Sequence, residues 1–365
     1  MPALPTFADF VAATRERKIT SPEDILNDAV NQRTWMIGEM LKGQDPSLVV
    51  QGGQKISDRI KLDNSNTFQF YSPNERFNPT SVDTLTTIEA NWRFAKAHYS
   101  FSEEEIELNQ TGSLEQFVNL RTKYEQDAYT DIYNGMEDAL WAVPSSSAME
   151  ASGGLRPYSI PAFVTEDTTD YHPSGFTTIM GVDPASSTRW RNQVETYLPS
   201  ALDDQDNGII AAFDSMFLSV KFESPDTASQ YFENDRLRRM KILTNKDGFN
   251  IYQRLLRAGN DRYAVSPQDP AYMNPVFNGI PVKYISALDT AALYSGSAAA
   301  TGQPRYYWLN FNYMFPVFHA RRYMRMKGPI EGGVEQPFSA AVYFNLYYNL
   351  FMRSRRRQGI VAPAA

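Results

Sequence analysis

The sequence predicts an α+β fold, and three observations carry that reading. A single helical period runs through residues 113–143, a clean strand alternation surrounds Trp92, and short helices and strands follow one another from about residue 208. In the first, Phe117, Leu120, Tyr124, Ala128, Ile132, Met136, Leu140 and Val143 recur at three- and four-residue steps, the period of one helix face. Glu115, Asn119, Lys123, Gln126, Asp127, Asp131, Asn134 and Asp138 fill the other side. Ser113 and Gln116 form a capping-box pattern at the start, and Pro144 stands where a proline stops a helix. At about 1.5 Å per residue the rod is roughly 45 Å long, against about 11–12 residues for an ordinary globular helix.

The preceding elements read as an arm and a hairpin. Residues 1–20 look extended. Ser21-Pro22-Glu23-Asp24 then opens an amphipathic helix with Ser as N-cap, Pro in the first turn and acids beside the helix dipole. Ile25, Leu26, Val30, Met36, Ile37, Met40 and Leu41 form its stripe, and Gly43 ends it. It docks on its own subunit or on a neighbour, and the pattern leaves both open. A strand is expected over Val49–Lys61, with a turn at Asp63-Asn64-Ser65-Asn66 and a return through Thr67–Tyr71. Leu85–Phe101 holds the alternation: Ile88, Ala90, Trp92 and Phe94 on one face, Glu89, Asn91 and Arg93 on the other. A two-stranded polar ribbon is marginal in water by itself, so this hairpin is expected to be completed by another molecule. On that reading, deleting Asp58–Tyr71 leaves the subunit folded.

After the long helix, residues 144–200 are rich in Pro, Gly, Ser and Thr and read as loops with short strands. Then come an apolar stretch at Ile209–Val220, a helix over Pro225–Arg238, a short strand at Lys241–Thr244 and an amphipathic helix over Asp247–Gly259. Asn274–Ile285 is a strand pair about the turn dipeptide Asn278-Gly279. Residues 295–304 form a Gly/Ala/Ser loop, Tyr306–Phe318 an aromatic strand, and Phe338–Arg353 an apolar segment that ends in Arg353–Arg357.

Composition narrows the function classes. The 365 residues suffice for two domains or one elaborated domain, and 42% apolar content suffices for a core. The absence of cysteine excludes disulfides, thiolate nucleophiles and Cys-based zinc sites. No apolar run reaches the roughly 20 residues of a bilayer span, and the first 20 residues lack a secretory signal layout, so a cytosolic protein with no membrane partner is expected. The 22 Phe, 21 Tyr and 5 Trp suit large interfaces, and equally a carbohydrate-binding groove. Net charge is −7, unevenly spread: from Arg305 onward nine Lys and Arg face only Glu331 and Glu335, leaving −14 on the first 304 residues. An acidic body with a basic end suits charge-complementary contacts between copies better than nucleic-acid recognition by a basic domain.

Catalytic patterns are missing, and no catalytic, cofactor-binding or metal-ligating residue is nominated. His98 reads as a partly buried structural residue, His172 as part of a turn, and His319 as part of a basic surface beside Arg321 and Arg322. No zinc motif, phosphate loop, dinucleotide fingerprint or nucleophile elbow occurs. Glu103-Glu104-Glu105 reads as a solvated linker. The stretch at 203–208 faintly resembles a calcium loop, but Gln205 and Asp214 stand where ligands belong, and a turn fits better. Arg353–Arg357 either meets phosphates or pairs with acids on protein, the second being favoured.

The order of parts resembles the Hong Kong 97-type major capsid protein of tailed double-stranded DNA bacteriophages. The resemblance rests on the arm helix 22–42, the hairpin 48–101 with Trp92, the helix 113–143, "NPVFNGIPV" at 274–282 and "NLYYNLFMRSRRRQGIV" at 345–361. It covers nearly the whole chain. It implies an N-terminal arm (1–47), an extended loop and return strand (48–101), a peripheral domain (102–205 and 306–344) with 113–143 as spine helix, and an axial domain (206–305 and 345–365). It also implies a non-enzymatic protein without cofactors that assembles with itself, as hexamers and pentamers, into an icosahedral virion capsid in the host cytoplasm. Scaffolding, portal and decoration proteins, and packaged double-stranded DNA in non-specific contact, are the further partners implied. Some members cross-link a loop lysine to an asparagine. Lys55 and Lys61 lie on the loop here, with no matching asparagine or assisting acid. With a short arm before the first helix, no cleaved scaffolding segment is expected. The alternatives are a cellular nanocompartment shell of the same fold and an aromatic-rich carbohydrate-active enzyme. The spine helix is expected to turn its apolar stripe to the sheet and its acidic side to the particle interior or to a neighbour.

Overall fold

A computed structural model describes residues 49–63, 83–102, 120–204, 206–220, 239–260, 275–289, 303–331 and 339–364, together with Met36, Gly38, Met40, Thr67, Phe68, Phe70 and Ser72. The start of the long helix, the acidic run 103–105, the helix expected over 225–238 and most of the loop 295–304 lie outside these residues. The described elements form an α+β arrangement of two larger sheets and a ribbon.

The first sheet contains β1 (Val49–Val50), β4 (Arg93–Ser102), β10 (Met314–His319), β11 (Arg325–Glu331) and β12 (Ser339–Met352). Its axis is β12, with β4 antiparallel along one edge over Ser339–Tyr348 and β11 and β10 on successive stretches of the other. Helix α1 (Leu120–Leu140) packs on the inward face of β4 through Tyr124, Ala128, Ile132, Met136 and Leu140, the stripe read from the period. Tyr129 meets Phe344 at 4.9 Å between ring centroids. The helix stops three residues short of the expected Val143. Pro144 has no N–H for the Leu140 carbonyl, and it biases Val143 toward extended backbone.

The second sheet runs β5 (Gln193–Tyr197), β13 (Gly359–Pro363), β9 (Tyr306–Asn310), β6 (Met240–Thr244), β8 (Ile280–Tyr284) and β7 (Val276–Phe277). Between α1 and β5 lie only two short helices, α2 (Ser146–Met149) and α3 (Ile160–Phe163), and a 3-10 turn at Thr188–Trp190. One face of the second sheet, with Trp308, Tyr306 and Ile242, meets α4 (Ile209–Val220) and α5 (Lys246–Asn260). The other face, with Tyr307, Leu309, Leu243 and Ile360, joins the main core. Burial on both faces explains why β9 and β13 read as continuous apolar runs rather than alternations. Asn278 and Gly279 take φ +46° and +85°, the two positive values a type I′ hairpin turn needs, so the strand pair forms as read.

Three expected spans are cut differently. Tyr306–Phe318 is two strands in different sheets, because Asn310 accepts from Asn312 N at 3.1 Å and Tyr313 N at 3.2 Å and turns the chain. The expected boundary at 344/345 falls inside β12, and Tyr306–Asn310 pairs in the second sheet. Val49–Lys61 is broken at Gly52-Gly53, Gly53 standing at φ +107°. β1 therefore joins the first sheet, while β2 (Lys55–Lys61) pairs with β3 (Leu85–Asn91). The return strand of the ribbon is thus 85–91, and Thr67, Phe68 and Phe70 lie outside any strand. Met36 and Met40, both helical, are buried in the main core, which docks that part of the arm on its own subunit.

Candidate assembly surfaces

The β2–β3 ribbon has a buried base and a bare tip. Ile56, Leu62, Ile88 and Ala90 sit in the main core, so the ribbon is anchored on its own subunit, contrary to the expectation that it lacked a core. Arg189 Nη1 donates to Leu62 O at 3.0 Å, and Glu89 N donates to Met180 O at 3.0 Å. Asp58 on β2 pairs with Arg353 at 2.7 Å. Beyond Leu62, Phe68 is 82% and Phe70 92% exposed, their rings T-shaped to each other at 5.2 Å. The sequence reading missed these rings because it assigned them to the return strand.

Trp92 stands outside both flanking strands, and the alternation slips by one residue there. Up to Trp92 the even residues point inward. From Arg93 the odd ones do, so Arg93 is buried and Phe94 is 66% exposed, the reverse of the expected faces. The slip occurs where the chain leaves β2 for β12. The Arg93 guanidinium donates through Nη1 to the carbonyl of Gly154 and through Nη2 to those of Met149 and Ala151, so one loop holds both terminal nitrogens. Buried Asn349 accepts from Tyr158 N at 2.9 Å and donates to Asn91 O at 2.7 Å, fastening the same junction to β12.

The slip builds the outer face of the first sheet, opposite α1. Register puts Phe94 beside Tyr347, then Lys96, Asn345 and Arg325 in one row, then His98, Tyr343 and Lys327 in the next. Phe94 and Tyr347 meet edge-to-face at 4.4 Å, and Arg322 lies over the Tyr347 ring at 5.6 Å. Lys96, Arg325 and Lys327 are exposed and form no ion pair among the described residues. At the ribbon's base this face opens into a cavity of about 400 Å³ walled by Trp92, Phe94, His319 and Tyr347, with Lys55 and Ser152 at its rim.

The C-terminal arginines are mostly structural. Arg355 is fully buried and donates to the carbonyls of Phe163, Trp190 and Tyr171 at 2.8–2.9 Å, and to Asn192 Oδ1 at 3.1 Å. Burial pulls its pKa down to about 9. Arg353 pairs with Asp58, and Arg357 lies over Tyr313 at 4.2 Å. The favoured reading, acids as partners, holds for Arg353, and carbonyl oxygens take that role for Arg355. Arg305, also buried, grips Glu166 with two nitrogens.

The histidines are dispersed. His98 is exposed rather than partly buried, stacked on Tyr343 at 5.9 Å, because the slip turns it outward. His172 faces Pro173 O at 3.2 Å, and His319 lies edge-on to Trp92 at 5.3 Å in the cavity wall. Around 203–208 the described residues form turns in which Asp204 accepts from Asp206 N and Asn207 Nδ2. No group of three or more metal-ligating side chains occurs among the described residues.

No family model and no curated protein matches the chain. Solved structures do. The capsid asymmetric unit of cyanophage A-1(L) aligns over 90% of this chain and 92% of that one, with a TM-score of 0.57 and 13% identity. The capsid of a native GTA particle aligns over 87% and 88%, with a TM-score of 0.52 and 11% identity. The chain has the Hong Kong 97-type capsid fold.

Proposed function

We propose that the chain is a major capsid protein that assembles through hexamers and pentamers into an icosahedral shell around double-stranded DNA. The observation that carries this is the capsid fold, aligned over nine-tenths of the chain. The ribbon adds support, since a buried base with two bare phenyl rings at its tip suits a limb that finishes its burial on a neighbour. The first sheet with α1 serves as the peripheral part, and the second sheet with α4 and α5 as the axial part. The protein acts by packing rather than catalysis, resides in the virion and assembles in the host cytoplasm. Its principal partner is itself. Scaffolding, portal and decoration proteins and non-specifically held DNA complete the set.

Purified protein, alone or with a scaffolding partner, should form rings or megadalton particles by light scattering and negative-stain microscopy. A monodisperse monomer under every assembly condition overturns the reading. Particles that release a packaged enzyme instead of DNA assign the shell to a cellular compartment.

A further inference from the structure

In the order of its strands, the chain passes between the two larger sheets three times: at 141–192 from α1 to β5, at 311–313 from β9 to β10, and at 353–358 from β12 to β13. The last passage is tied to both of the others. Arg355 holds the first through the carbonyls of Phe163, Tyr171 and Trp190 and the side chain of Asn192. Gln193 N, where that passage ends, donates to Gln358 O at 2.9 Å. Arg353 N donates to Tyr313 O in the second passage at 2.8 Å, and Arg357 lies over the Tyr313 ring. Gln358 is wholly buried. Its Oε1 accepts from Asn310 N at 2.7 Å, and its Nε2 donates to Asn310 O at 3.0 Å.

The register shows what this glutamine replaces. The paired register of β13 and β9 ends at Gly359↔Trp308, and the chain before Gly359 comes from the first sheet. A side-chain amide carries a carbonyl and an N–H like a peptide group. Gln358 thereby adds the rung at Asn310 that the diverging backbone cannot supply. Asn310 is also the last residue of β9, so one side chain pins both passages where they leave the second sheet. The sheets meet as well through apolar side chains of the main core, Trp141 against Tyr307 at 5.6 Å among them. Apolar burial is non-directional and allows packed layers to shear. Hydrogen bonds are directional and select one arrangement.

We propose that the 353–358 passage is the joint that sets the angle between the two sheets, and that Gln358 is the latch holding it at the value from which copies close into one shell size. The proposal rests on the shell reading and deepens it. In a closed assembly of identical copies, a change of subunit shape is repeated at every contact, so one angle gives one curvature. The ribbon is tied to the same joint, since Asp58 pairs with Arg353 at 2.7 Å.

Because the chain has no cysteine, Lys96→Cys on β4 and Leu218→Cys on α4, both exposed, place one spin label on each side of the joint. Pulsed dipolar distances are measured on the unassembled subunit with Gln358 intact, with Gln358→Leu and with Gln358→Glu. Particle diameters are measured on the same three chains without labels. Leucine keeps the volume and loses both bonds, while a glutamate side chain recovers the missing donor only when protonated. The parent should give one narrow distance and one diameter. Gln358→Leu should broaden both, and its Asn310 amide should exchange about tenfold faster or more. Gln358→Glu should broaden the distance at neutral pH and regain the parent's narrow one at acid pH, a reversal that a general loss of stability does not give. An unchanged narrow distance in Gln358→Leu overturns the latch. If Gln358→Leu does not fold, a narrow distance at both pH values in Gln358→Glu overturns it equally. A broadened distance with an unchanged diameter means that neighbours set the angle, which overturns the proposal and leaves the shell reading standing. Failure of the unsubstituted chain to assemble overturns both.

Discussion

Arg355 shows how much one side chain can organise. Its guanidinium gathers three backbone carbonyls and one side-chain oxygen from the segments around Phe163, Tyr171 and Trp190. A lysine offers a point charge where a planar fork is needed. Arg355→Lys should therefore cost about 3 kcal/mol or more of stability, each stranded acceptor contributing about 1–3 kcal/mol, read as a drop in the denaturant midpoint. Glu150 gives a pH-dependent test. Burial raises its carboxyl pKa, while the Thr178 hydroxyl that donates to it and nearby His172 pull the other way. A raised folded pKa means that the folded chain holds the proton more tightly than the unfolded one. Its stabilising contribution is present below the ordinary value of 4.5 and lost as pH rises through the raised value. Glu150→Gln keeps a neutral acceptor for Thr178. Its Tm advantage over the parent should be absent at acid pH and should grow across that window.

At the scale of elements, two glycines should respond oppositely to the same substitution. Gly135 lies on the exposed side of α1, and a Cβ there meets nothing within 4 Å. Gly135→Ala should stabilise by about 0.5–1 kcal/mol through helix propensity. Gly208 opens into α4, and its Cβ would lie 2.3 Å from Asp204 O and 2.7 Å from Leu202 O. Gly208→Ala should cost about 1–3 kcal/mol, since backbone must shift to admit the methyl. Parallel thermal melts check both signs. The Gly208 result also gives that glycine a packing role, independent of any resemblance of 203–208 to a calcium loop. The stripe of α1 was legible because one face meets one sheet. The face switch at Trp92 was not, because it follows a change of strand partner that no local period records.

For the whole molecule, the anchored ribbon base changes which deletion is informative. Removing Asp58–Tyr71 would take Leu62 from the core and Asp58 from Arg353, so it tests the subunit as well as the assembly. Replacing residues 66–81 by a short turn spares Ile56, Leu62, Ile88 and Ala90. That variant should melt close to the parent yet fail to form stable particles by light scattering. Unfolding of the subunit would instead place the tip in its stability core. The candidate surfaces were half visible in advance. An acidic body and a basic end were plain from composition. That Lys96, Arg325 and Lys327 share one face became visible only with the pairing of β4, β12 and β11, which lie far apart along the chain.

By itself the sequence determined the α+β class, the long helix with its stripe, the Asn278-Gly279 hairpin and the order of arm, ribbon, helix and mixed lobe. These depend on local period, turn chemistry and the i, i+4 geometry of a helix, which neighbouring residues set among themselves. Only the tertiary structure decided which strands pair, where Tyr306–Phe318 divides between two sheets, that Arg355 faces carbonyls instead of solvent, and that Phe68 and Phe70 are bare. Each of these depends on contacts between residues distant in sequence. A buried arginine and an exposed phenylalanine look the same in a string of letters until the partners that cover or abandon them are in place.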